Sequence, residues 1–219
     1  AEGYADALAA IRAADAVIAV NPQDVPEVRK ARAVGAPCEL LAPFLDVDAF
    51  AGPDASDERA ADAAEVRLVT VAMMRDGAKF ASYRLLATAL CALRDLPWKL
   101  TIAGDGPARA LVEQSFASLG ARVRFAGARQ RNEIAGLLAA SDLFVWPAVD
   151  EAFGMAFLEA QACGLPIVGA DTPGVASVVD AGSAGLLCAM GDAPAFAAAV
   201  RTLLTDAALR TRMARAAFR

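Results

Sequence analysis

From Val66 to the C-terminus, short apolar runs alternate with longer amphipathic ones, and that alternation leaves few folds open. Strands are expected over 66–72, 98–104, 123–127, 142–147 and 166–170, and in the Gly-Leu-Leu-Cys-Ala segment from Gly185. Helices are expected over 80–93, 107–119, 131–140 and 155–163, with a short one near 175–180 and a helical tail from Ala193. Strands that are apolar throughout, with helices between them, belong to a parallel sheet covered on both faces. Right-handed crossovers then give a doubly wound α/β domain of the Rossmann-like kind. Such folds bind ligands beyond the carboxyl ends of their strands. The loops after Ala72, Gly104, Pro147 and Ala170 are therefore where chemistry is expected.

Ahead of this domain, residues 1–45 read as a separate β-α-β piece, too small to stand alone. Ala16 to Val20 is strand-like, Asn21-Pro22 reads as an N-cap and first helical position, and a helix is expected to Val34, stopped by Gly35. Cys38 to Pro43 reads as the second strand. Residues 46–64, polar or small and containing Gly52-Pro53, read as a linker to the domain at 65–219. The chain opens without Met inside an amphipathic pattern (Tyr4, Leu8, Ile11), so a fragment whose N-terminus lies upstream is expected.

Composition removes several classes of function. The net charge of the 219 residues is -5, a poor balance for a non-specific nucleic-acid binder, which needs surplus cations to neutralise phosphates. Histidine is absent, which excludes Ser-His-Asp and Cys-His catalysis and any His-containing metal site within this chain. The four cysteines, Cys38, Cys91, Cys163 and Cys188, form no C-x-x-C. Reduced thiols in a cytoplasmic protein are the expected reading. The most apolar stretch, 152–170, is interrupted by Glu159, Gln161, Gly164 and Pro166, so no membrane span is expected, and the opening has no basic segment of a signal peptide.

Three loops could carry chemistry. Gly104-Asp105-Gly106-Pro107 sits at a strand-to-helix junction, where small residues allow close backbone approach and the helix start favours an anion. The dinucleotide fingerprint is not completed, since Arg109 stands at its last position, and Arg122-Val123-Arg124-Phe125 occupies the place of a ribose-binding acid. An ordinary tight turn is the alternative. The second loop carries Glu151, Phe153, Gly154 and Met155, with Glu159 further along the following helix. Free N–H groups at that helix start can hold a phosphate or a sugar oxygen. Glu159 lies roughly 7.5 Å further along the axis, where a carboxylate could accept both hydroxyls of a ribose. An ordinary acid in the first turns of a helix is the alternative. The third loop, Met73 to Lys79, offers Arg75 and Lys79, which could meet a diphosphate or be two solvated cations.

Glu151 and Glu159, the following Ala160-x-Ala162-Cys163-Gly164-x-Pro166-Ile167-Val168, the Gly104-x-Gly106-Pro107 turn, and Gly174 with Gly185-Leu186-Leu187 together resemble the C-terminal, donor-binding domain of the retaining GT-B glycosyltransferases of family 4. The resemblance runs from about Val66 to the end and extends weakly over 15–50, which resembles the last β-α-β of that family's N-terminal domain. It implies a nucleotide diphosphate sugar as donor, transfer with retention, and no required metal or cofactor. Carried over, Glu151, Arg75 and Lys79 are the catalytic candidates, with Glu151 on the donor-sugar hydroxyls and the two cations at the diphosphate. Gly104, Gly106, Phe153, Gly154, Met155 and Glu159 are the donor-binding candidates, with Glu159 on the nucleotide ribose. The pattern departs at Ala72-Met73, where the family has Gly-Arg, at Ser177, where it has an acid, and at Leu45-Asp46-Val47-Asp48, where it has Asn-Gly-Val-Asp. The expected partners are the nucleotide-sugar donor and the rest of the N-terminal domain, with no nucleic acid. The expected location is cytoplasmic, with room for a peripheral acceptor at the inner membrane face. Alone, the fragment is expected to bind nucleotide but turn over little. A non-catalytic nucleotide-binding module is the second reading, and an NAD-dependent oxidoreductase the third.

Overall fold

The computed structural model describes residues 2–32, 35–47, 50 and 65–217. It divides into two compact units, Ala1–Phe44 and Leu45–Arg219. The first contains helix α1 (Glu2–Ala13), strand β1 (Val17–Ala19), helix α2 (Asp24–Ala31) and strand β2 (Cys38–Leu40). The two strands pair in parallel with Val17 opposite Cys38, a β-α-β arrangement. Helix α2 starts at Asp24 rather than Pro22. The Asn21 carboxamide accepts from the Gln23 N–H (3.0 Å) and its carbonyl from the Asp24 N–H (3.1 Å), so Asn21 closes a turn before the helix begins. The Arg32 guanidinium donates to the Ile11 and Asp15 carbonyls (3.0 and 2.8 Å) and ties α2 to the end of α1. Val34, the expected helix end, and most of the 46–64 linker, including Gly52-Pro53, lie outside the described residues.

The second unit runs β3 (Val66–Val71), α3 (Ala78–Cys91), β4 (Trp98–Ala103), α4 (Arg109–Phe116), β5 (Val123–Gly127), α5 (Arg131–Ala139), β6 (Leu143–Trp146), α6 (Met155–Ala162), β7 (Ile167–Ala170), α7 (Pro173–Ala176), β8 (Gly185–Cys188), α8 (Ala193–Thr205) and α9 (Ala207–Ala217). The strands form one parallel sheet in the order β5-β4-β3-β6-β7-β8. Every residue of β6 and β7 is buried. Successive side chains of a strand point to opposite faces, so both faces of the sheet are covered there. Helices α3, α4 and α8 pack together, and α6 packs with α5 and α9. The sheet and helices enclose a core anchored by Trp98, Trp146, Tyr83, Phe144 and Phe157.

The helix starts differ from the sequence expectation for local reasons. The Ala108 N–H donates to the Met74 carbonyl (2.9 Å), so α4 begins at Arg109. The Thr172 hydroxyl accepts from the Val175 N–H with Pro173 in the first turn, so α7 covers 173–176 instead of 175–180. The helical tail is two helices, because the Asp206 carboxylate accepts from the Leu209 N–H (2.8 Å) and restarts the chain. The strand order reverses between β3 and β6, which opens a crevice beyond their carboxyl ends.

Candidate functional site

A cavity of about 540 Å³ occupies that crevice, walled by residues that follow β3, β4, β5 and β6. Its size is that of a small-molecule site, about 300–1,000 Å³. Lys79, Gly104, Glu151, Phe153, Gly154, Met155 and Glu159 all line it. Arg75 does not. It lines an adjoining cleft of about 320 Å³ that shares Lys79, Glu151 and Phe153 with the main cavity. Gly106 lines neither.

Helix α3 carries Lys79 in its first turn, and the loop after β6 carries Glu151. The Lys79 ammonium donates to a Glu151 carboxylate oxygen at 2.5 Å, with both side chains less than a fifth exposed. The same ammonium lies 5.7 Å from the Trp146 ring centroid, whose electron-rich face adds to the attraction. The loop is held in an unusual course: Ala148 and Asp150 both have positive φ (51° and 50°), a costly conformation for residues with a Cβ. Two contacts hold it there. The buried Ser82 hydroxyl, from the same face of α3, accepts from the Val149 N–H (2.9 Å) and donates to the Ala78 carbonyl (2.8 Å). Behind the loop, Gly174 lies so close that a Cβ would fall 2.4 Å from the Glu151 carbonyl oxygen and 2.6 Å from that of Ala152. The loop after Ala170, expected to bind ligand, thus supports the Glu151 loop.

Gly154, in the left-handed conformation (φ 66°, ψ 24°), leads into α6, and no side chain caps that helix start. A Cβ there would meet Val178 at 2.9 Å and the Gly174 carbonyl at 3.1 Å. The Phe157 N–H bonds the Gly154 carbonyl (2.9 Å), which leaves the Met155 and Ala156 N–H groups at the α6 start for solvent or a ligand. Glu159 is one turn further along α6. Burial pushes its carboxyl pKa up, and the Arg131 charge works against that rise. Its carboxylate has no hydrogen-bond partner among the described residues, and burial and the Arg131 charge are what act on it. A half-buried acid without a donor is costly to keep ionised, and a ligand hydroxyl would relieve it.

Gly104 and Gly106 serve backbone packing. A Cβ on Gly104 would stand 1.9 Å from the Ala72 carbonyl oxygen, and one on Gly106 would stand 2.3 Å from that of Met74. The loops after β3 and β4 can therefore interlock, with the Met74 N–H donating to Asp105 (2.8 Å). The Gly106 N–H and Arg109 hold the exposed Asp105 carboxyl below its ordinary pKa. The sequence reading passed over the loop after β5, although it too follows a carboxyl end. Ala128 and Arg129 from that loop, and Ile134 from α5, reach the cavity wall. The Arg129 guanidinium is held by Glu133 (2.9 Å), which also accepts from the Gln130 N–H (2.9 Å) at the start of α5.

Comparison with known protein families matches residues 65–206 to the family described as glycosyl transferases group 1. The N-acetyl-alpha-D-glucosaminyl L-malate synthase of Bacillus anthracis is 36% identical over 115 residues, 52% of this chain and 30% of that protein. A GDP-mannose-dependent alpha-(1-6)-phosphatidylinositol dimannoside mannosyltransferase of Mycobacterium tuberculosis is 39% identical over 120 residues, 53% of this chain and 30% of that protein. Among solved structures, HepE of Anabaena in complex with UDP and glucose superposes with a TM-score of 0.77 at 22% identity, over 95% of this chain and 58% of that one. At that identity the likeness is one of fold, and the fold is that of the GT-B glycosyltransferases. The chain spans well under two thirds of the length of each of these proteins.

Proposed function

Since the chain belongs to the glycosyl transferases of group 1, we propose that its switch-point cavity binds a nucleotide diphosphate sugar and that the protein transfers the sugar, with retained anomeric configuration, to an acceptor. The observation that carries this reading is the convergence of Lys79, Glu151, Glu159 and the uncapped α6 start on one cavity. In this reading the Glu159 carboxylate accepts from the ribose hydroxyls, the α6 N–H groups and Lys79 face the diphosphate, and Glu151 accepts from sugar hydroxyls. Arg75 serves the diphosphate from the adjoining cleft.

During transfer the bond between the anomeric carbon and the β-phosphate oxygen breaks, and a bond from that carbon to an acceptor oxygen forms. Negative charge gathers on the departing diphosphate, and the acceptor hydroxyl passes its proton to a diphosphate oxygen. Lys79 and the α6 dipole lie where that charge develops, which is the placement that lowers a barrier most. This division of labour assigns no step to a metal. We place the protein in family 4 and read residues 65–219 as its donor-binding domain and 1–45 as part of an N-terminal one. The base and acceptor differ among relatives: one is named for GDP-mannose, and one fold neighbour was solved with UDP.

Calorimetric titration of UDP, GDP and ADP into the chain, beside a Glu159→Gln variant, tests the proposal. One nucleotide should bind, and the variant should lose most of that affinity. Equal binding by the variant would remove Glu159 from the ribose, and no binding of any nucleotide at millimolar concentration would overturn donor binding by this chain.

A further inference from the structure

The charges lining the cavity do not suit a bare diphosphate. Lys79 and Arg129 are its two cations, and Asp105, Glu151 and Glu159 its three acids. Both cations are already engaged, Lys79 by Glu151 and Arg129 by Glu133. A nucleoside diphosphate ends in a phosphate monoester carrying about −1.5 to −2 charges near pH 7. Entering this site it must take Lys79 from Glu151, and it leaves that carboxylate, which is less than a fifth exposed, beside its own terminal phosphate. In the corresponding sugar nucleotide the terminal phosphate is esterified, so it carries less charge, and the sugar brings hydroxyl donors that Glu151 can accept.

We propose that Glu151 is a specificity-determining counter-charge: by competing for Lys79 it weakens the hold on the bare nucleoside diphosphate relative to the sugar nucleotide. This rests on the reading of the cavity as a donor site. Loss of the sugar returns Glu151 to Lys79, and the product is released against a neutralised cation. The other charges facing the pair, Arg75, Asp76 and Asp150 in the adjoining cleft, remain in place in either state. The contact between Lys79 and Glu151 is thereby a means of product discharge as well as of donor choice.

The test is titration of UDP and UDP-glucose, and of GDP and GDP-mannose, into the wild-type chain, Glu151→Gln and Glu151→Asp, with thermal unfolding as a check on folding. Glu151→Gln removes the charge at constant size. It should tighten the bare diphosphate about two- to fivefold, the upper part of the range for solvent-accessible ion pairs, and tighten the sugar nucleotide less or weaken it. Glu151→Asp keeps the charge and should not tighten the bare diphosphate. Wild-type binding with an unchanged or increased preference for the sugar nucleotide in Glu151→Gln overturns this inference and leaves the donor site standing. Absence of all binding in wild type and variants overturns both.

Discussion

Replacing Gly104 with alanine sets a Cβ 1.9 Å from the Ala72 carbonyl oxygen, more than 1 Å inside the 3.0 Å that real Cβ contacts respect. Neither partner yields easily. The Ala72 oxygen accepts from the Tyr83 hydroxyl at 2.7 Å, Tyr83 is wholly buried, and the Ala72 N–H is engaged by the Ala103 carbonyl at 3.0 Å. Gly104 also has φ +144°, a conformation that residues with a Cβ rarely adopt. Backbone strain costs about 1–3 kcal/mol, and stripping a partner from a buried hydroxyl costs about 1–3 kcal/mol more. Gly104→Ala should therefore lose about 2–6 kcal/mol, a large share of a typical domain's stability of about 5–15 kcal/mol. Gly136 in α5 is the control, because nothing lies within 4 Å of its added Cβ and its φ is not positive. Gly136→Ala should gain about 0.5–1 kcal/mol from helix propensity. Urea unfolding followed by tryptophan fluorescence reads both variants, since the chain's two tryptophans, Trp98 and Trp146, are both buried in the second unit. A Gly104→Ala midpoint indistinguishable from wild type would refute the packing argument.

Three further outcomes are expected. Ser82→Ala leaves the Val149 N–H without its acceptor and should lower stability by about 1–3 kcal/mol; hydrogen exchange at Val149 should speed up by more than at β7, and equal acceleration at both would mean the loop is held by something else. Asp192 accepts from the Ala195 N–H at 2.8 Å as the N-cap of α8, so Asp192→Ala should cost about 1 kcal/mol in urea unfolding, and no loss would deny the cap. Glu159 has its folded-state pKa raised by burial, so the folded state holds its proton more tightly, and stability from this group is present at low pH and lost as pH rises through the folded pKa. Without nucleotide, Glu159→Gln should thus gain on wild type as pH rises above the ordinary Glu pKa of about 4.3, and a stability difference that stays flat or moves the other way would contradict the burial.

Much of the fold could be read from the chain because its signals are local. The continuous apolar runs of β6 and β7 state that both faces are covered, and Glu151 and Glu159 sit on one loop-helix segment whose geometry follows from spacing. The remainder depends on partners distant in sequence. Ser82 looks like any small residue in a helix until the fold brings Val149 to it. Gly174 matters because the Glu151 loop packs against its Cα, and Gly106 because the Met74 carbonyl does. Arg75 and Lys79 are nearly adjacent in sequence, yet the helix start turns only Lys79 into the main cavity. Arg129 and Ile134 were the one group that the strand pattern could have flagged, since they follow a carboxyl end as the other wall residues do.

In the proposed donor site the switch-point cavity holds a nucleotide through Glu159 and Lys79. Diffraction from crystals of the chain grown with the nucleoside diphosphate that binds in titration tests it most directly. Density is expected in the crevice beyond β3 and β6, with ribose hydroxyls within hydrogen-bond distance of the Glu159 carboxylate and the diphosphate at Lys79 and the start of α6. Nucleotide bound elsewhere on the second unit, with Lys79 still paired to Glu151 and Glu159 untouched, would contradict it.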